Sequence, residues 1–221
     1  MKKLLVAITL LHPLSAHSVN LQKVHNFYKK VLTGPLEEAK YEIESNLNFI
    51  NSARDHSGDM LLHVAVSTRK YRRIKALLEL GASTEVRNED METPLHVAVK
   101  EGNLKAVALL LQYNANVHVW EHYEYRTPLH YAVEFNRMGC ATMLLDAGAS
   151  PDAPGLFENK SDYHYSARML AVDADLAVDA HEGEPQNPMT QLLENYQGAS
   201  LNWKEALHAA FPAGVEALAQ D

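Results

Sequence analysis

The sequence predicts an all-α solenoid of stacked helix pairs, and three observations predict it. His63, His96 and His130 stand 33 and 34 residues apart. Each sits in a matching frame: "MLLHVAV", "TPLHVAV" and "TPLHYAV". Thirteen residues beyond the alanine of each frame (Ala65, Ala98, Ala132) stands a leucine: Leu78, Leu111 and Leu145. A fixed period of this size marks a chain of supersecondary units, none of which can bury its apolar face alone, so neighbours must stack.

The elements follow in order. Residues 20–50 read as a divergent leading helix pair, broken at Gly34-Pro35. The strong repeats run from about 58 to 150. In them Thr93 and Thr127 are placed to cap a helix, with Pro94 and Pro128 at the first helical position, where no amide donor is needed. Leu95, Ala98 and Val99 give that helix its apolar face, and Gly102-Asn103 breaks it. A second helix begins near Leu104 and turns Val107, Leu110 and Leu111 inward at helical spacing. Gly81 and Gly148 end second helices in a left-handed turn, and Asn114 takes that place in the middle repeat. A degenerate repeat over 161–200 keeps Ser166 as the cap and Ala171 as the framed alanine. It carries an acidic insertion at 173–188 ("DADLAVDAHEGEPQNP"). A terminal helix over 202–211 covers the last apolar face.

The T-P-L-H frame on a 33-residue period resembles the ankyrin repeat. The resemblance is strong over 58–150 and weakens outward. It implies β-hairpin fingers that project from the stack and, with the first helices, line a concave face. It also implies that His63, His96 and His130 brace the turns between neighbouring repeats. Designed ankyrin binders are varied at the finger positions and just after the framed alanine. Carried over residue by residue, the partner-binding candidates are His56 and Asp59, then Glu89, Asp90, Glu92 and Glu101, then Tyr123, Arg126 and Phe135. The degenerate repeat adds Tyr163 and Tyr165.

Residues 1–18, "MKKLLVAITLLHPLSAHS", have a different grammar: Lys2 and Lys3, an apolar run from Leu4 to Leu11, then small residues at Ser15, Ala16 and Ser18. This is the pattern of a secretory signal peptide, cut after Ala16 or Ser18. The run is too short to span a bilayer, and no cysteine follows it to carry a lipid, so no stable membrane anchor is expected. The "MKKLL" start has a bacterial look, which favours the periplasm, with secretion as the alternative.

Composition removes several function classes. The 221 residues are 47% hydrophobic and 22% charged, as in ordinary globular proteins, and carry a formal net charge of −8. That charge argues against nucleic acid as a partner. Cys140 is the only cysteine, which excludes an internal disulfide and a multi-cysteine zinc site. Cys140 aligns with Ala106, a place for a small buried side chain. Twelve histidines are present, but none are spaced as metal ligands on one helix. "DADLAVD" (173–179) lacks the glycine and the closing glutamate of a calcium loop. No glycine-rich phosphate loop and no nucleophile motif occurs, so neither an enzyme nor a cofactor is expected.

Two surface features remain. "RKYRRIK" (69–75) packs five basic residues into seven and reads as the outer wall of a second helix, with Ile74 turned to the core. "WEHYEYR" (120–126) and "FENKSDYHY" (157–165) place aromatic rings in segments expected to be exposed turns. Among these rings, Trp120 and Tyr125 are the ones placed to pack between adjacent fingers. Tyrosine, tryptophan and arginine dominate interface energetics, so this aromatic and acidic ridge is expected to contact a partner. The reading is an exported, monomeric, non-catalytic module that binds or inhibits another protein, for example as a toxin antagonist. A second role rests on resemblance to periplasmic ankyrin proteins linked to catalase and peroxide resistance. An enzyme with its site in the insertion, and a membrane-surface adaptor using the basic segment, are the rivals from other classes.

Overall fold

The computed structural model describes residues 21–121, 125–155, 165–177 and 187–196. Its helices pair in chain order. A leading pair, α1 (21–33) and α2 (Leu36–Glu44), is followed by a one-turn helix, α3 (Leu47–Ile50). Then come α4 (Leu61–Ser67) with α5 (Tyr71–Glu79), and α6 (Pro94–Lys100) with α7 (Leu104–Gln112). The last pairs are α8 (Pro128–Glu134) with α9 (Met138–Asp146), and α10 (Ala167–Ala177) with α11 (Pro188–Asn195). Helices α4, α6, α8 and α10 stack side by side in one row, and α2, α5, α7, α9 and α11 form a second row behind them. The fold is an all-α helix-pair solenoid.

Local sequence explains each boundary. Thr93 and Thr127 are extended residues before α6 and α8, and Pro94 and Pro128 open those helices. Asn103 caps α7 by accepting from the Ala106 amide at 3.3 Å, and Ser166 Oγ accepts from Met169 N–H at 3.3 Å at the start of α10. Asn114 ends α7 with φ 60°, in line with Gly81 and Gly148 at φ 92° and 94°. An asparagine can hold that left-handed turn at lower cost than most side chains.

The core is continuous along the stack. Leu77, Leu110 and Leu144, at aligned positions of the second helices, are fully buried. Ala65, Ala98 and Ala132 are buried on the first helices, where a larger side chain would hold neighbouring helices apart. Cys140 and Ala106 are buried at aligned positions, and burial pushes the Cys140 thiol up to about 11. Polar braces join the units as well. Asn103 donates to the Val66 carbonyl at 3.2 Å and accepts from Tyr71 Oη at 3.1 Å, so one side chain caps its own helix and ties down the repeat before it.

The structure differs from expectation in four places. The one-turn α3 lies within 20–50, where only a helix pair was expected. The stretch 173–188 does not start as a loop, because α10 runs on to Ala177. Arg73 is not on a solvated wall: its guanidinium donates to the Gly34 carbonyl and so fastens α5 to the leading pair. The first two fingers, at 55–59 and 88–92, are compact loops rather than β-hairpins. Among the described residues the only strand pairing is β1 (Pro154–Gly155) with β2 (Tyr165–Ser166). Residues 1–18 and the expected helix at 202–211 lie outside the described residues.

Candidate functional site

Each of the first three fingers is closed by the same two bonds. The backbone N–H of Asp55, Asn88 and Glu121 donates to the carbonyl of Asp59 (2.9 Å), Glu92 (3.0 Å) and Arg126 (3.0 Å) respectively. In return the N–H of Asp59, Glu92 and Arg126 donates to the side-chain oxygen of Asp55 (3.0 Å), Asn88 (2.9 Å) and Glu121 (3.3 Å). A loop satisfied within itself leaves few backbone groups for a ladder, and among the described residues of these fingers no strand pairing forms. The residue before each returning N–H is left-handed: Gly58 at φ 76°, Met91 at φ 60° and Tyr125 at φ 52°.

The three framed histidines are buried and tie fingers to helices. His96 Nδ1 accepts from Thr93 N–H at 3.2 Å and lies 2.9 Å from Thr93 Oγ1, which closes a capping box at the start of α6. Its Nε2 faces the Arg126 carbonyl at 3.1 Å. A carbonyl can only accept, so Nε2 carries the proton and the ring is neutral. His130 repeats the arrangement with Thr127, at 3.1 Å to N–H and 2.8 Å to Oγ1. His63 donates from Nε2 to the Glu92 carbonyl at 3.0 Å. Met60 stands where the other frames have threonine, and His63 Nδ1 has no hydrogen-bond partner. Burial drives all three imidazoles down to about 4.

Behind the fingers runs a charged ladder. The Glu92 carboxylate, 4% exposed, accepts from Tyr131 Oη at 2.8 Å and from Lys100 Nζ at 3.0 Å. Asn88 Nδ2 lies between Glu92 Oε2 (3.5 Å) and Asp59 Oδ1 (3.2 Å). Burial would raise the Glu92 carboxyl, but its bonds to Lys100, Tyr131 and Asn88 outweigh it and hold the group below its ordinary value. Arg126 sits over the Tyr131 ring, 5.1 Å from guanidinium carbon to centroid, and pairs with Glu134 at 2.6 Å.

The family profile for ankyrin repeats, in three copies, matches residues 62–154. These are ankyrin repeats. A putative ankyrin repeat protein of Rickettsia felis is 33% identical over 101 residues, 42% of this chain and 43% of its own length. A putative ankyrin repeat protein of Coxiella burnetii is 42% identical over 65 residues, 29% of this chain and 19% of its own. The NF-kappa-B inhibitor alpha of Sus scrofa is 33% identical over 82 residues, 37% of this chain and 26% of its own. The chain therefore spans less than half the length of each of these relatives.

The ankyrin frame places the candidate residues unevenly. His56, Glu89 and Asp90 are exposed at finger tips. Asp59 is half-buried, and burial raises its carboxyl despite the bond from Asn88. Glu101 is half-buried, and its carboxyl is also raised by burial. Phe135 packs partly against Tyr131, with centroids 5.9 Å apart. Glu92 is a correction: it belongs to the junction between ankyrin repeats rather than to an exposed finger, because Lys100 and Tyr131 reach over it. Arg126 is largely committed in the same way, to Glu134, Glu121 and the Tyr131 ring. Tyr123 and Tyr163 lie outside the described residues, as does the side chain of Tyr165, whose backbone forms part of β2.

The ankyrin frame also places two rings of the aromatic ridge, which the sequence set against a partner or between adjacent fingers. Trp120 and Tyr125 are 45% and 38% exposed, and their rings lie 4.9 Å apart. Arg87 donates to the Trp120 carbonyl at 2.8 Å and to the Met91 carbonyl at 2.9 Å, with its guanidinium 6.0 Å from the indole. The sequence signal was present: Arg54, Arg87 and Trp120 are 33 residues apart, just before the finger residues Asp55, Asn88 and Glu121.

Proposed function

We propose that the chain is an exported, non-catalytic binding module that engages a protein partner through its finger face, with Trp120 and Tyr125 as the anchor. The observation that carries this reading is the backbone of Tyr125. It stands at the position of Gly58, in a left-handed conformation that costs a bulky residue about 1 kcal/mol or more. The residue keeps over a third of its surface in solvent, its ring tilted against the exposed indole of Trp120, whose carbonyl Arg87 holds. Strain maintained for an exposed aromatic pair is more easily understood as a contact surface than as a contribution to stability. Ankyrin repeats are a protein-interaction frame, and one relative's name is that of an inhibitor, which supports binding or inhibition of a protein as the role. Antagonism of a toxin or enzyme is the form of that role the exposed, acidic tips at Glu89 and Asp90 favour.

The test uses chemical cross-linking in an envelope extract to identify the partner, followed by titration. Tyr125→Gly should raise stability by about 1 kcal/mol in denaturant melts, while Trp120→Ala and Tyr125→Gly each weaken binding at least tenfold, as loss of an aromatic anchor does. Normal binding by both variants, with loss on Arg72→Glu, would move the working surface to the basic side. Export is checked on the same material. Intact mass should show a chain beginning after Ala16 or Ser18, and a full-length cytoplasmic product would end the periplasmic proposal.

A further inference from the structure

A groove of about 510 Å³ opens between α1 and the first two fingers. Its floor is apolar: Val24 of α1, Phe49 of α3 and Ala53, with Leu21 at the lip. Phe49 is held edge-on against Phe27, centroids 5.3 Å apart, so the floor is backed by the core. The rim is polar, and its carboxylates are held in position. Asp55 accepts from the N–H of Ser57 at 2.8 Å and of Asp59 at 3.0 Å. Glu89 is exposed, yet its methylenes lie on bare glycine backbone: a Cβ added to Gly58 would come 2.0 Å from Glu89 Cγ. The cation on this rim, Arg54, donates to the Gly58 carbonyl at 3.0 Å within the same finger.

We propose that this groove receives an apolar segment of the partner protein that bears lysine or arginine. The stem of the cationic side chain lies over Phe49 and Ala53, and its charged end reaches Asp55 and Glu89. Long cationic side chains bury their methylenes and keep their charge at a polar edge, and this groove has that profile. A wholly apolar occupant would cover two carboxylates without pairing them, and an acidic one would meet Asp59 and Asp90 beside the rim of a chain with net charge −8. The proposal rests on the protein-binding reading above and adds the partner's chemistry at a second place, across the finger row from Trp120.

The probe is a fluorescein-labelled octapeptide alternating leucine with lysine and arginine, titrated by polarisation into the full chain. The expected result is binding that weakens as salt is raised, falls at least tenfold in Glu89→Lys and severalfold in Glu89→Gln, and is unchanged in Met169→Ala, an exposed position on α10 away from the groove. Melting curves identify any variant that fails to fold, and Glu89→Gln, which keeps the methylenes on Gly58, then decides alone. Equal binding of a peptide with glutamate in place of the cations, unchanged binding by Glu89→Gln, or no binding would each overturn the groove proposal. The protein-binding reading would survive any of these, because it is judged on Trp120 and Tyr125 against the cross-linked partner. A synthetic peptide of residues 1–18 that displaces the probe more strongly than unlabelled probe would also overturn it, by assigning the groove to the chain's own N-terminal segment.

Discussion

Between pH 6.5 and 4.5 the repeats should lose stability steeply, with close to three protons taken up on unfolding. His63, His96 and His130 are held neutral by burial, with folded values near 4 against an ordinary 6.5. A histidine whose folded value is depressed binds fewer protons folded than unfolded. Its contribution is therefore whole above about pH 6.5 and is lost as pH falls towards 4. Each such group gives at most about 1.4 kcal/mol per pH unit inside the window, so three approach about 4 kcal/mol per unit. A domain has only about 5–15 kcal/mol in total, so the transition should fall near pH 5. Glu92 adds a further loss at lower pH, because its carboxyl is held below the ordinary value and its bonds to Lys100 and Tyr131 weaken on protonation. Urea melts at half-unit pH intervals measure the slope. His63→Gln, which keeps a donor for the Glu92 carbonyl, should reduce the uptake by about one proton. A slope of less than one proton across the window would mean that the rings titrate freely and do not brace the junctions.

The histidine frame that carries this prediction was legible in the sequence because its information is local. A threonine cap, a proline at the first helical position and a turn residue at Gly81, Asn114 or Gly148 act within a few residues of where they stand, and a 33-residue period repeats them. The finger chemistry was harder to see for two physical reasons. Asp55, Asn88 and Glu121 do the same work with three different side chains, because any short acceptor can take the returning N–H. That shared function leaves no repeated letter. The fate of Glu92 depends on Lys100, one helix later, and Tyr131, one repeat later, and neither separation is encoded in the loop that contains it. Finger glutamates are ordinarily solvated, and only the stacking of α6 on α8 closes this one off. Tyr125 was read as a ring in a turn, and its left-handed backbone becomes apparent only when it is superposed on Gly58 and Met91.

Glu92→Ala should cost about 3 kcal/mol, more than most surface-loop substitutions, which stay within about 0.5 kcal/mol. Truncation leaves the buried Tyr131 hydroxyl without its acceptor at 2.8 Å. It also leaves Lys100 and Arg126, 5.8 Å and 5.1 Å from the Tyr131 ring, as two cations with one fewer carboxylate between them. The Lys100 side chain is 44% exposed, so water screens its share, and most of the loss should come from the tyrosine and from Asn88. The backbone carbonyl of residue 92 still accepts from His63, which confines the effect to the carboxylate. Glu92→Gln keeps an acceptor for Tyr131 and should cost about 1 kcal/mol. A double-mutant cycle with Tyr131→Phe should return a coupling of about 1–2 kcal/mol, a term that a solvated finger glutamate would not give. The measurement is a set of five denaturant melts at pH 7, four for the cycle and one for Glu92→Gln. A Glu92→Ala cost below about 0.5 kcal/mol, with coupling near zero, would return Glu92 to the exposed finger face and leave the charged ladder without a structural role.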